Sequence, residues 1–102
     1  MKSDDLRKLL LTLGKNDFEV AKTLEAKGCF GNMNSNSHCP IANFLRKETG
    51  EKPYVSPDYI CLEKDNREFD NTLSEEYIPV AIEVFILRFD EGEFPELLDL
   101  SQ

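Results

Sequence analysis

The sequence lacks any run of about 18 apolar residues, the length at which a helix becomes a candidate membrane span. Its start, Met1–Asp5, lacks the basic flank and the apolar stretch of a secretory signal. Its cysteines, Cys29, Cys39 and Cys61, form no Cys-x-x-Cys pair and are odd in number, so we expect reduced thiols and no disulfide framework. Together these absences predict a soluble protein of the cytoplasm that does not contact a membrane.

Basic residues are also few, since the 102 residues include 12 Lys and Arg against 20 Asp and Glu, which gives a net charge of −8. Phosphate backbones are bound by clustered Lys and Arg, so this balance predicts no nucleic-acid partner. It is compatible with steering toward another protein that has a basic surface. The competing and more general interpretation is that the acidity serves solubility alone.

No complete catalytic or cofactor motif is present. Gly28 and Gly31 stand alone and not within a nucleotide-binding fingerprint, and the acidic groups 65–70 and 90–96 lack the alternating spacing of a calcium loop. We therefore predict no cofactor. The sequence favours a protein that is not an enzyme, although it does not decide this.

What the sequence does contain is the pattern of a small globular domain. Hydrophobic residues make up 40% and charged residues 31% of the chain, so we expect one domain over residues 1–102. Apolar residues at helical spacing predict a mainly α (α+β) fold, a compact bundle of about four short helices. A small two-stranded antiparallel β element is expected between the third and fourth helices.

Capping residues set the expected bounds of the first two helices. The first is predicted from about Asp4 to Leu13, with Gly14 ending it in a left-handed conformation. The second has Asn16 as its N-cap, with Glu19 reaching back in a capping box. Because the connection between them is short, we expect these two helices to lie side by side.

Prolines mark the starts of the other two helices. The third is predicted from Pro40, which suits a first helical position because it needs no amide donor, to about Gly50. The fourth is predicted from about Pro79 to Asp90, with an alternative start at Ser74. It is apolar on most sides, so we expect it at the centre of the core.

The middle of the chain has strand character. Tyr54–Val55 and the stretch beginning at Tyr59 flank a turn at Ser56–Asp58, which predicts a hairpin. A second turn candidate at Lys64–Arg67 leaves open that the later strand pairs instead with one near Phe69. The pattern alone does not fix the register between these alternatives.

A loop rich in glycine, asparagine and serine runs from Gly28 to Ser37. Loops carry function more often than cores do, although a mobile surface connection is the competing interpretation. Phe30 and Met33 are its large apolar residues. If exposed, they are candidate anchors for a partner, whereas the alternative is that Phe30 caps the core under the loop.

Cys39 is the strongest candidate for a chemical role. At the N-terminus of the third helix, free amides and the helix dipole would lower the pKa of its thiol and favour the thiolate. The competing interpretation is a small buried thiol that packs the start of the helix. His38, the sole histidine, is the adjacent residue and the only available base for a cysteine hydrolase, so both residues are candidate binding positions.

A metal site is a weaker alternative. Cys29, His38, Cys39 and Cys61 supply four donors, the number that tetrahedral zinc takes. Their spacing matches no usual zinc pattern, and the adjacent ligands His38 and Cys39 would strain the geometry.

Two segments are similar to parts of small, uncharacterised bacterial proteins. The segment 39–45 reads Cys-Pro-x-Ala-x-aromatic-Leu, and the segment 89–97 reads Phe-Asp-x-Gly-x-Phe-Pro-x-Leu. The resemblance implies a shared compact fold and no particular activity. It favours Pro79 over Ser74 as the start of the fourth helix.

The leading hypothesis is a small acidic regulatory or adaptor domain that acts by binding another protein. It follows from the acidity, the apolar content and the lack of a catalytic motif. The alternative is a thiol-based redox or metal-responsive protein that uses Cys39 at a helix N-terminus. A small enzyme of unknown chemistry is a third hypothesis, with no residues that support it directly.

Overall fold

The computed structural model describes residues 3–63 and 72–99. Within these residues four α-helices and three antiparallel strands form a mixed α+β fold. In chain order they are α1 Ser3–Leu11, α2 Asp17–Ala26, α3 Pro40–Thr49, β1 Lys52–Ser56, β2 Tyr59–Glu63, β3 Thr72–Ser74 and α4 Val80–Asp90. Two 3₁₀ turns, Glu75–Tyr77 and Pro95–Leu97, flank α4. No helix in these ranges has both the length and the apolar content to cross a lipid bilayer.

The second helix starts at the predicted cap. Asn16 Oδ1 accepts from the backbone N–H of Glu19 at 2.9 Å, and Glu19 Oε1 accepts from the N–H of Lys15 at 2.8 Å. The packing partners differ from the prediction, because α1 packs mainly on β3 while α2 packs mainly on α4. The side-by-side arrangement expected from the short connection is not the main contact of either helix.

The sheet has three strands in the order β1-β2-β3, so the expectation of a two-stranded element is wrong by one strand. The predicted hairpin is present, since β2 is antiparallel to β1 on one side, and its other side is antiparallel to β3. A middle strand satisfies its backbone donors and acceptors through two neighbours. The turn predicted at Lys64–Arg67 and the strand predicted near Phe69 lie outside the described residues.

Side chains alternate along the strands, which gives the sheet an inner and an outer face. The inner face is buried in the core and consists of Pro53, Val55, Ile60, Leu62 and Leu73. The outer face carries Lys52, Tyr54, Tyr59, Cys61 and Glu63. In the register of the first pair, Tyr54 lies opposite Cys61 and Lys52 lies opposite Glu63.

The outer edge of β1 has few free backbone N–H groups. The N–H of Val55 points away from β2 and donates to the carbonyl oxygen of Asn36 at 2.8 Å. Pro53, the other residue of β1 whose nitrogen faces this edge, has no N–H. The loop before α3 therefore covers this edge of the sheet.

The fourth helix lies at the centre of the core, as its apolar sequence predicts. Pro79 is its N-cap and Val80 its first residue, one position later than expected. The ring of Phe85 stacks on Phe89 with a centroid distance of 5.8 Å and on Phe94 at 5.3 Å. The residues of α4 that are buried are Ile82, Phe85, Ile86 and Phe89.

Candidate functional site

The backbone of the loop from Gly28 to Cys39 forms hydrogen bonds to three other parts of the chain. Gly31 donates to the carbonyl of Leu97 and accepts from the N–H of Asp99, both at 2.9 Å. The N–H of Asn34 donates to Asp90 Oδ1 at 2.8 Å, and Asn36 binds β1. The interpretation of this loop as a loose connection is therefore not supported.

The loop also folds closely on itself around Gly31. A Cβ built on Gly31 would lie 2.3 Å from the carbonyl oxygen of His38 and 2.6 Å from the nitrogen of Pro40. Asn43 of α3 reinforces the fold, since its Nδ2 donates to the carbonyl of Phe30 at 2.5 Å and to that of His38 at 3.3 Å. The backbone conformation of the segment that leads into α3 is thus fixed by Gly31, which permits the close approach, and by the side chain of Asn43.

Cys39 caps α3, as predicted, but its thiol points into the core. Its Sγ accepts from the N–H of Ala42 at 3.4 Å, and the residue is 5% exposed. It lines a void of about 10 Å³ beside Phe85 and Phe89, a space that holds one water molecule at most.

Burial raises the pKa of the Cys39 thiol from 9.0 to about 11, against the hydrogen bonds from the backbone of Ala42 and Ile41, which lower it. The prediction of a lowered pKa at this position is therefore wrong, because desolvation outweighs the helix amides. The competing interpretation, a buried thiol that packs the start of the helix, is confirmed. Burial and the raised pKa both disfavour the thiolate form of Cys39.

The raised pKa predicts a specific loss of stability at alkaline pH. The folded state retains the Cys39 proton up to about pH 11, whereas the unfolded chain releases it near pH 9, so the free energy of unfolding falls between these values. The loss from this group is about 2–3 kcal/mol. Urea unfolding monitored by circular dichroism between pH 8 and pH 11 measures it.

The Cys39→Ala variant is the control for this measurement. At pH 8 it is less stable than the wild type, because it loses a cap and leaves a cavity. Its free energy of unfolding should nevertheless fall less steeply with pH, since the remaining thiols, tyrosines and lysines titrate in both proteins. Equal slopes for the two proteins would contradict the assignment.

The four candidate zinc ligands are not brought together. No group of three or more His, Cys, Asp or Glu side chains in the ranges 3–63 and 72–99 is placed to hold a metal ion. Cys29 and Cys61 are also buried, and burial raises the pKa of both thiols. Cys29, His38, Cys39 and Cys61 therefore do not form the zinc site considered from the sequence.

His38, in contrast, is exposed and lines a groove on the outer face of the sheet. The groove is open to solvent, has a volume of about 740 Å³ and lies between β1, β2 and the segment that leads into α3. We call it the sheet groove. Its lining is Ser37, His38, Arg46, Lys52, Pro53, Tyr54, Tyr59, Cys61 and Glu63.

Several contacts give the sheet groove a defined shape. The rings of Tyr54 and Tyr59 meet edge to face, 5.9 Å apart at 69°. The Tyr54 hydroxyl accepts from Asn36 Nδ2 at 3.0 Å, and a hydrogen bond from the side chain of Tyr59 acts to lower the pKa of Cys61. His38 Nδ1 lies 2.9 Å from the Ser37 hydroxyl.

Sequence reasoning identified His38, and Cys61 as a weak candidate metal ligand, but missed Arg46, Lys52 and the two tyrosines of the groove. Tyr54 and Cys61 face each other only in the observed strand register, which the pattern did not fix. Arg46 lies on α3, where the sequence carries only helix signals. The alternation of Lys52 with Tyr54 was the one local signal that these side chains share a face.

Phe30 and Met33 lie outside the sheet groove. They are 39% and 40% exposed, and Phe30 does not join the core cluster, so the suggestion that it caps the core is not met. The N–H of Asn34, the next residue after Met33, binds Asp90, which places this part of the loop against the last turn of α4.

A second surface is formed by one side of α4. Val80 is 74% and Leu87 46% exposed, and Val84 between them is partly exposed. The spacing of these three residues is i, i+4, i+7, so they share one side of the helix, opposite the buried phenylalanines. We call this side the outer face of α4.

Comparison with protein-family models, with curated proteins and with solved structures gives no match. The similarity of residues 39–45 and 89–97 to bacterial proteins therefore stays a prediction.

Proposed function

We propose that this chain is a small acidic adaptor domain that binds another protein through the outer face of α4. The observation that carries the proposal is the exposure of Val80, at 74%, and of Leu87, at 46%, on the most apolar helix of the chain. Contiguous exposed apolar residues with polar surroundings are typical of protein-binding surfaces. An aliphatic side chain that becomes buried in a complex supplies affinity through the hydrophobic effect.

The charges on this side of the helix favour a partner with a basic surface. Glu83 and Glu91 follow the same helical spacing as the apolar residues. Neither forms an ion pair within the described residues, since Arg88, the cation of this helix, lies 3.1 Å from Asp17 and 3.9 Å from Glu93. Lys and Arg around an apolar centre on the partner would complement these carboxylates, and the net charge of −8 steers such a partner toward the domain.

Met33 is a second anchor in this proposal. It is 40% exposed and precedes Asn34, whose N–H is held by Asp90 at the end of α4. A methionine adapts its shape to a partner because its side chain is unbranched and polarizable. The loop residue that the sequence singled out would thereby extend the outer face of α4.

A cytoplasmic location belongs to the same proposal. Cys29, Cys39 and Cys61 are all free thiols in the structure. Free cysteines are typical of proteins that act in a reducing compartment. The resemblance to bacterial proteins would make that compartment the bacterial cytoplasm.

The test uses the double variant Val80→Asp/Leu87→Asp, whose changes fall on exposed positions. Proteins retained by the immobilised wild-type chain are identified by mass spectrometry and purified, and their affinities are measured by calorimetry. We expect the double variant to bind the partner at least about 100-fold more weakly, because two buried aliphatic contacts are replaced by desolvated charges.

Leu11→Asp is the matched control, since Leu11 is 44% exposed but lies on α1. It should leave the affinity unchanged. Glu83→Gln with Glu91→Gln should weaken the dependence of the affinity on salt concentration. A purified partner that binds the Val80→Asp/Leu87→Asp variant as tightly as the wild type would refute the proposal.

A further inference from the structure

Arg46 is a cation of the sheet groove that uncharged groups hold in position. Its Nη1 donates to Asn43 Oδ1 at 2.6 Å, and its Nη2 donates to the carbonyl of Ser37 at 2.7 Å. Both acceptors are uncharged, and they use two of the five N–H donors of the guanidinium. Arg46 forms no ion pair with any residue in the two ranges that the structure describes.

Lys52 adds a second cation to the same groove. It lies opposite Glu63 in the strand register, yet it too forms no ion pair with the residues described. Among the described residues that line the groove, Glu63 is the one carboxylate, against the two cations Arg46 and Lys52. In a chain of net charge −8, this is a local excess of positive groups, which attracts an anion to the groove.

The aromatic side chains of the groove favour a ligand that is planar. Tyr54 and Tyr59 remain 44% and 38% exposed while their rings meet edge to face. The hydrogen bond from Asn36 to the Tyr54 hydroxyl holds this pair in place before any ligand binds. A preorganised tyrosine pair offers ring surface on which a planar ligand stacks without a large loss of side-chain entropy.

We infer that the sheet groove binds a small aromatic carboxylate. The ring packs against the Tyr54–Tyr59 pair, and the carboxylate accepts from the free N–H groups of Arg46 and from the ammonium of Lys52. The volume of about 740 Å³ lies within the range of small-molecule sites. This site is separate from the outer face of α4 and does not depend on the function proposed for that face.

A carboxylate fits this groove better than a phosphate. The guanidinium of Arg46 forms paired, charge-assisted hydrogen bonds with a carboxylate or a phosphate alike, so the preference comes from Glu63. Glu63 lines the same groove, and its charge opposes a dianion more strongly than a monoanion.

The experiment titrates the full chain with benzoate, 4-hydroxybenzoate and indole-3-acetate, and with indole-3-acetamide as the neutral counterpart. Binding is followed by ¹⁵N–¹H correlation spectra and calorimetry. We expect at least one carboxylate to saturate with a Kd on the order of 1 mM or tighter, the value that its size allows. The amide of Cys61 and those of Ser37, His38 and Tyr54 should shift, while those of α4 should not.

Variants separate the two recognition elements. Lys52→Gln should weaken the binding of the carboxylates about 3- to 10-fold and leave the affinity for indole-3-acetamide unchanged. Tyr59→Leu should weaken the binding of the carboxylates and of indole-3-acetamide about 3- to 10-fold. Lys22→Gln removes an exposed lysine of α2, outside the groove lining, and should change neither affinity.

Any one of three results would overturn the inference. The first is that none of the three carboxylates saturates the protein, and the second is that indole-3-acetamide binds as tightly as indole-3-acetate. The third is that neither Lys52→Gln nor Tyr59→Leu changes the affinity for a carboxylate. The result for Val80→Asp/Leu87→Asp decides the protein-binding proposal separately, because that variant leaves the groove intact.

Discussion

Gly31→Ala is expected to destabilise the protein by about 3 kcal/mol or more. The added Cβ would lie 2.3 Å from the carbonyl oxygen of His38 and 2.5 Å from the carbonyl carbon of Cys39. Both are backbone atoms, so no side-chain rotation relieves the overlap. Gly31 is itself fixed by hydrogen bonds to Leu97 and Asp99 at 2.9 Å. The loop must therefore detach either from the C-terminal segment or from the start of α3.

Urea unfolding at neutral pH measures this effect, and Gly28→Ala is its control. Gly28 has a φ of +70°, but a Cβ added to it would meet no atom within 4 Å beyond its own chain neighbours. The control should lose only about 1 kcal/mol, the strain of a left-handed alanine. Equal losses for the two variants would show that close approach is not what requires glycine at position 31.

Phe85→Ala is expected to cost about 3–5 kcal/mol. Phe85 is 1% exposed and lies between the rings of Phe89 and Phe94, with centroid distances of 5.8 and 5.3 Å. Its removal opens a cavity at the point where α4 meets the C-terminal segment, and neighbours held on two sides cannot collapse into it. Thermal and urea unfolding should both show the loss.

Leu87→Ala on the same helix is the matched control for this measurement. Leu87 is 46% exposed, so its truncation should change the free energy of unfolding by less than about 1 kcal/mol. The contrast separates burial from helix propensity, because both variants introduce alanine into α4. A loss for Phe85→Ala no larger than that for Leu87→Ala would contradict the central position of this ring.

The helices could be predicted from the sequence because their signals are local. Asn16, Pro40 and Gly50 mark helix ends through contacts made within a few residues. The central place of α4 was equally accessible, since a helix that is apolar on most sides has to be buried. The sequence did not show which apolar residues of α4 are exposed. Val80 and Phe85 are both apolar, and the elements that pack against the helix decide which of them is buried.

The sheet groove and the state of Cys39 depend on contacts between distant residues. The groove requires β1 to pair with β2 so that Tyr54 faces Cys61, a register that the strand pattern left open. The pKa of Cys39 depends on whether helix amides or desolvation prevails, and Phe85 and Phe89, which close over the thiol, come from the other end of the chain. The sequence singled out His38 because it is the sole histidine, whereas its exposure follows only from the fold.

The protected border of β1 also limits how molecules of this protein can associate. With Pro53 lacking an amide hydrogen and the Val55 amide already bound to Asn36, an incoming strand finds no donor along this border. Sheet extension from molecule to molecule, the route to fibrils, is blocked on this side. Recognition by the neighbouring outer face of the sheet therefore depends on the side chains of that face and not on strand addition at this border.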